Sequence, residues 1–166
     1  QKSLVDQLQA RTVSREYDAV VVGTMVAGGT VDAPIARHPV DRKRMAVVQT
    51  GKPAISHYRV KTRFRAHTHL TVQLETGRTH QIRVHMAHIR HPLVGDATYG
   101  CLARLPPGAG DALIQALRRF PRQALHARRL ALLHPRSGEP VSWEAALPDD
   151  ISQLLAARKA DTDAPA

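Results

Sequence analysis

The chain has 166 residues, 43% of them hydrophobic, which suits one globular domain with a real core and is too short for several. Lys and Arg number 24 against 14 Asp and Glu, a formal net charge of +10, and most of the positive charge is arginine, whose planar fork suits bidentate phosphate contacts. Cys101 is the single cysteine, which excludes an intrachain disulfide and a cysteine-cluster zinc site, and no apolar run is long enough to cross a bilayer; a cytoplasmic protein is expected, with either a polyanionic partner or no more than an ordinary basic surface.

Residues 2–9 set Leu4, Val5 and Leu8 at helical spacing behind Ser3, a capping residue, and read as a helix. The pattern then turns to strand. REYDAVVVG, residues 15–23, is rich in β-branched and aromatic residues and stops at glycine, and AGGTVDAPI puts Gly28 and Gly29 where a hairpin turn is expected. RHPVDRKRMAVV is a basic loop entering a short strand, and GKPAISHYRVKTRF is a turn marked by Gly51 and Pro53 that leads into another. THLTVQLETG alternates, Leu70, Val72 and Leu74 to one side and Thr71, Gln73 and Glu75 to the other, as a half-buried antiparallel strand should.

After Gly77 the period switches. Thr79 is placed to cap a short helix with Ile82, Met86 and Ile89 on its apolar face, and Pro92 helps to end it. The loop HPLVGDATYG and a Pro-Gly insertion at 106–110 follow, then a helix at 112–119, strands at 125–133 and 141–145, a helix at 149–158 and an acidic tail. Strand-rich stretches broken by single helices, without βαβ alternation, predict an α+β domain with a mostly antiparallel mixed sheet and a few flanking helices.

LETGRTHQIRVHMAHIRHP, residues 74–92, holds three arginines and four histidines. His85, His88 and His91 are three apart, so successive rings turn by about 300° and fan out, and no carboxylate sits on the same turn; a metal site is not expected. His85 lies near the apolar face and is expected to pack with a satisfied ring nitrogen, while His88 and His91 lie near the helix end, where the dipole favours cations. Arg78 sits in the turn before the helix and Arg83 at the border of its buried face, where an arginine either covers core with its stem or meets a specific anion.

The longer segment LETGRTHQIRVHMAHIRHPLVGDATYG resembles the third signature segment of the RluA-type family of RNA pseudouridine synthases, and within it the members that act on 23S ribosomal RNA. SREYDAVVVG, GGTVDAPIARHP, MAV, GKPAISHYRV and RQALHARRLALLHPRSG extend the resemblance over nearly the whole chain. It implies the carboxy-terminal portion of that family's catalytic domain over residues 1–158, and the acidic tail at 159–166 is expected to be disordered. It further implies isomerisation of uridine to pseudouridine without cofactor or metal, RNA as partner, a flipped target base, no membrane, and a monomer.

By the same resemblance Tyr17 in REY matches the tyrosine that stacks on the flipped base, and Arg83 in HQIR matches the arginine that pairs with the catalytic aspartate. Arg78, His80 and Gln81 are expected to line the RNA side of the pocket, and Arg37, Arg42, Lys43 and Arg44 to form a phosphate-contacting loop unless they are merely solvated charge. Arg122, Gln123 and His126 are expected to support the site. The family's aspartate lies in an H-R-L-D segment, which these 166 residues do not contain. Asp41 in RHPVDRKR falls in the wrong order relative to REY to be that aspartate. The expectation is therefore a catalytic segment upstream of Gln1, an Arg83 left without its anion, and a chain inactive alone. The rival expectation is a non-catalytic RNA-binding module that keeps the pocket.

Overall fold

The computed structural model describes residues 14–100, 110–120, 122–134, 136–137 and 139–163. The helix expected at 2–9 and most of the Pro-Gly insertion lie outside the described residues. In chain order the elements are β1 (Ser14–Val22), β2 (Gly29–Asp32), β3 (Ile35–Arg37), β4 (Met45–Val47), β5 (Ile55–Arg63), β6 (His67–Leu74), α1 (Gln81–His88), α2 (Asp111–Arg119), β7 (Leu125–Leu133), β8 (Pro140–Glu144) and α3 (Asp149–Asp163). The α+β architecture is as expected. The last helix continues past Arg158 to Asp163.

Six strands form one sheet in the order β2-β5-β6-β1-β7-β8, every ladder antiparallel, and β3 with β4 makes a separate hairpin. Consecutive valines on β1 point to opposite faces. Ala19 and Val21 pack with Leu70 and Val72 under Ile82 and Met86 of α1. Val20 packs on the other side with Leu113 and Leu117 of α2 and Leu154 of α3. Each Val, Leu, Ile or Met side chain so withdrawn from water stabilises the fold by roughly 1.5–3 kcal/mol. The hairpin is fastened to the first layer because Ile35 packs against Ala54 and Val84 of α1.

Three expectations are corrected. Gly28 and Gly29 do not turn β1 into a neighbouring strand: β2 pairs with β5 at the sheet edge, while β1 pairs with β6 and β7. The glycine answers a close approach instead, since a Cβ on Gly28 would lie 2.6 Å from the Tyr58 carbonyl oxygen. β6 is half-buried only in its second half. His67, Thr68 and His69 are buried, because Arg158 of α3 donates to His67 Nδ1 at 2.6 Å and Asp18 meets His69 Nε2 at 2.9 Å. Finally, Thr79 does not cap α1. His80 is the N-cap, in the left-handed region at φ 55, with no side-chain cap bond.

At its other end α1 stops before Pro92 is reached. Arg90 adopts φ 67, its N–H bonding Ala87 O at 3.0 Å and that of His91 bonding Met86 O at 2.9 Å, the paired bonds of a Schellman cap. The chain then returns along β1 to Gly95, whose φ is +77 and whose Cβ position is already taken by the Arg122 carbonyl oxygen. Gly95→Ala is expected to lower unfolding free energy by at least ~2 kcal/mol, from the left-handed backbone and the collision together. In urea this would appear as a lower midpoint with an unchanged slope; an unmoved midpoint would refute the close approach.

Candidate active site and nucleic-acid interface

The turn from β6 into α1 is held from inside. Gln81 is 2% exposed. Its amide donates to Ile55 O at 3.0 Å and Ser56 Oγ at 2.9 Å, and its Oε1 accepts from Thr76 Oγ1 at 2.8 Å and the Arg78 N–H at 3.0 Å. Both ends of the amide are occupied, so Gln81 clamps α1 to β5 and does not face an RNA-lined pocket. One turn on, His85 is fully buried between Ser56 Oγ at 2.8 Å and Ala33 O at 2.9 Å. Because Ala33 O can only accept, Nε2 carries the ring proton and Nδ1 accepts from the serine. Burial pushes the His85 pKa down, with the charge of His88 acting the same way and the Ala33 bond and Asp32 opposing. Among the described residues no group of three or more His, Cys, Asp or Glu could hold a metal ion.

Arg83 is not left without an anion. Its Nε donates to Asp96 Oδ2 at 3.0 Å and its Nη2 to Asp96 Oδ1 at 2.9 Å, a bidentate pair on one edge of the guanidinium. Asp96 also accepts from the backbone N–H groups of Thr98 and Tyr99, each at 3.1 Å. Burial works to raise the Asp96 pKa, but the Arg83 hydrogen bond, the two backbone donors and the Arg83 charge outweigh it and leave it lowered. Arg83 is correspondingly raised, chiefly by its bond to Asp96. Among the described residues no hydrogen bond from Nη1 accompanies this pair.

Tyr99 stands at the centre of the basic groups, and sequence reasoning did not single it out. The Arg83 guanidinium lies 4.9 Å from its ring centroid and that of Arg44 lies 5.3 Å away. Its hydroxyl accepts from the Met45 N–H at 2.9 Å and is 2.8 Å from His80 Nδ1, to which it can therefore donate. Burial lowers the His80 pKa, helped by the Arg83 charge and opposed by Asp96. The only sequence signal was the spacing of Asp96 and Tyr99 in GDATYG, which reads as loop until the pair is seen to close on Arg83.

The β3–β4 hairpin brings the basic loop beside this cluster. Arg37 Nη1 donates to Arg42 O at 3.0 Å, and His38 Nδ1 accepts from the Val40 and Asp41 N–H groups at 3.1 and 3.0 Å. Asp41 accepts from the Lys43 N–H at 3.2 Å and so shapes the turn. Arg37, Arg42 and Lys43 are exposed, and Arg44 is half-buried with its Nε lacking a hydrogen-bond partner among the described residues. Arg78 is tied to Pro53 O at 2.8 Å through its Nε.

Tyr17 is half-buried on the α1 side of the sheet, packed against the first core cluster. It lines an open cleft of about 300 Å³ with Arg15, Ala127, Leu130 and Trp143, of which Leu130 and Trp143 are 38% and 57% exposed. The Arg15 guanidinium reaches from this cleft to Gly77, where a Cβ would overlap its Nη1. Arg15 thus links the Tyr17 cleft to the turn carrying Arg78. The structure places Arg44, His80 and Arg83 together, with Tyr17 on the same face but not in contact with them. Arg122 pairs with Asp150 at 3.1 Å and donates to Leu125 O at 3.0 Å, tying α3 to the start of β7.

A family model described as RNA pseudouridylate synthase matches residues 1–88. The chain is 61% identical over 161 residues to ribosomal large subunit pseudouridine synthase D of Pseudomonas aeruginosa, covering 97% of this chain and 50% of that protein. It is 57% identical over 161 residues to the protein of the same name from Escherichia coli K12, covering 97% and 49%. The chain therefore spans about half the length of the curated relatives it matches. Among solved structures, human RNA pseudouridylate synthase domain containing 4 superposes with a TM-score of 0.73 at 24% identity, covering 95% of this chain and 67% of that one. Human RNA pseudouridylate synthase domain containing 1 gives 0.67 at 23%, covering 99% and 73%. At these identities the two human proteins establish the fold.

Proposed function

The chain belongs to the RNA pseudouridylate synthase family, and from that premise we propose that it supplies the arginine side of an active site that isomerises uridine to pseudouridine in ribosomal RNA of the large subunit. The observation that carries the proposal is the state of Arg83. One edge is fixed by Asp96, and we assign to the remaining edge the family's catalytic carboxylate, in the part of the relatives outside the match. A guanidinium held this way favours the ionised form of the carboxylate it meets and fixes its position. Tyr17 would lie against the flipped base in its cleft.

On the RNA side, Arg44 and His80 around Tyr99, Arg78 at the turn, and Arg37, Arg42 and Lys43 on the hairpin offer cations at the positive end of α1, where phosphate is favoured. Gln81 acts through the turn it holds. The reaction needs no cofactor or metal in this reading, and we place it in the cytoplasm with the protein as a monomer. No helix among the described residues is long and apolar enough to cross a membrane.

The test joins this chain to the remaining half of such a relative and measures pseudouridine in 23S rRNA by carbodiimide modification and primer extension. Product is expected from the joined protein, and Arg83→Ala is expected to cut its rate by about 10²-fold or more while leaving RNA affinity nearly unchanged. Robust turnover by the 166-residue chain alone would overturn the assignment of the carboxylate to the other half.

A further inference from the structure

β5 is longer than the strand that covers it. β2 pairs only with Ile55 to Tyr58, whereas β6 follows β5 on its other side as far as Arg63. From Arg59 onward no described strand occupies the outer edge. That edge presents Arg59, Lys61 and Arg63, all exposed, with Lys61 as the unpaired residue of a bulge, so that Arg59 opposite Thr71 and Arg63 opposite Thr68 fall on opposite faces of the strand. A register shift between Val60 and Thr62 bends it locally.

Opposite the edge runs the segment from Val26 to Gly28, and the two walls enclose an open cleft of about 430 Å³ with no carboxylate in its lining. Arg63 Nη1 donates to Val26 O at 2.6 Å and ties the walls together, while the Gly28 backbone sits directly on Tyr58 O. The shape is therefore set before anything binds. Among the described residues the Arg59 side chain makes no hydrogen bond or ion pair, its backbone lying in the β5–β6 ladder opposite Thr71. The Lys61 ammonium has only Asp18 at 4.0 Å, and that carboxylate is buried and already bonded to His69.

We propose that this cleft is a second phosphate-contacting site, which holds RNA flanking the target nucleotide and takes no part in the chemistry. The proposal rests on the reading of the chain as part of an RNA-modifying enzyme. The other end of β5 supports it. Ile55 is bonded to Thr76 and Gln81 at the start of α1, so Lys61, six residues on, lies about 20 Å along the strand from that turn. A single RNA strand leaving that turn can cover this distance within a few nucleotides. Cations on an open edge also discourage strand-to-strand aggregation, but that duty requires neither a facing wall nor a tie across it.

The test compares the 166-residue chain with an Arg59→Gln, Lys61→Gln double variant, leaving Arg63 to hold the loop. The probe is a labelled 23S rRNA stem–loop with single-stranded flanks, titrated by anisotropy across a range of salt. The variant is expected to bind about tenfold more weakly, with its log affinity against log salt shallower by about 1.4 to 1.8, two phosphates' worth. Trimming the flanks should erase the difference, and the melting temperature should fall only slightly, because Lys61 is one of several groups that hold Asp18 ionised. Equal affinity and slope for the two proteins, with only the variant scattering light, would make the cations an edge guard and overturn the site. Failure of the unaltered chain to bind the probe at all would bring down the RNA reading with it.

Discussion

Asp96→Ala is expected to lower the unfolding free energy by about 3–5 kcal/mol, the usual loss when one partner of a buried ion pair is removed. The Asp96 side chain is 0% exposed and that of Arg83 14%, so the arginine would keep its charge with little water to receive it. The Thr98 and Tyr99 N–H groups would lose their acceptor as well, and the loop that sets Tyr99 between Arg83 and Arg44 would lose its anchor. Urea unfolding reads this directly. Replacing both partners, Asp96→Ala with Arg83→Met, should cost less than Asp96→Ala alone, because no uncompensated charge remains. Should the single variant unfold like the unaltered chain, the pair is not the support claimed for it. In the joined protein the single variant should also lose pseudouridine formation, whereas Asp96→Asn, which keeps the backbone acceptor and the shape, should retain a measurable part.

The strands were legible because their signals are local. β1, β5, β6 and β7 announce themselves through β-branched runs, alternation and glycine punctuation, and the same local signals put Tyr17 on a strand and Arg83 on a helix. What was not legible depends on who sits opposite whom. Gly28 looks like a hairpin turn in sequence and proves to be a close approach to β5, since nothing local says that β2 must skip to the sheet edge. Gln81 looks like a polar residue at a helix start and proves to be a buried clamp, because its partners Ile55 and Ser56 lie 26 and 25 residues away. Arg83 was expected to be short of an anion because these residues lack the family's H-R-L-D segment, and nothing local says that Asp96, 13 residues on in a loop, pairs with it. Tyr99 was missed for the same reason, since its hydroxyl partner Met45 is 54 residues back.

The second large effect is on the acid side. Stability should begin to fall below about pH 6.5, the ordinary histidine value, because the pKa of His85 is lowered in the folded state. Below that pH the unfolded chain takes up a proton that the buried ring refuses, at about 1.4 kcal/mol per pH unit per proton, until the lowered folded pKa is reached. His80 is lowered in the same direction and adds to the slope. A second fall belongs to Asp18 and Asp96. Burial alone would raise Asp18, but its hydrogen bond to His69 and the charges of His69, Lys61 and Arg128 leave it lowered, as the Arg83 pair does for Asp96. Their contribution is fully present above the unfolded carboxylate value near 3.8 and is lost as pH drops through the lower folded values. Urea midpoints measured from pH 8 to 3 should therefore decline in two stages. His85→Gln should lower stability at every pH, since glutamine cannot bridge Ser56 and Ala33 at once, yet should flatten the first stage while leaving the second. A variant whose first stage stayed as steep as before would mean that the ring between Ser56 and Ala33 is not the group the acid is titrating.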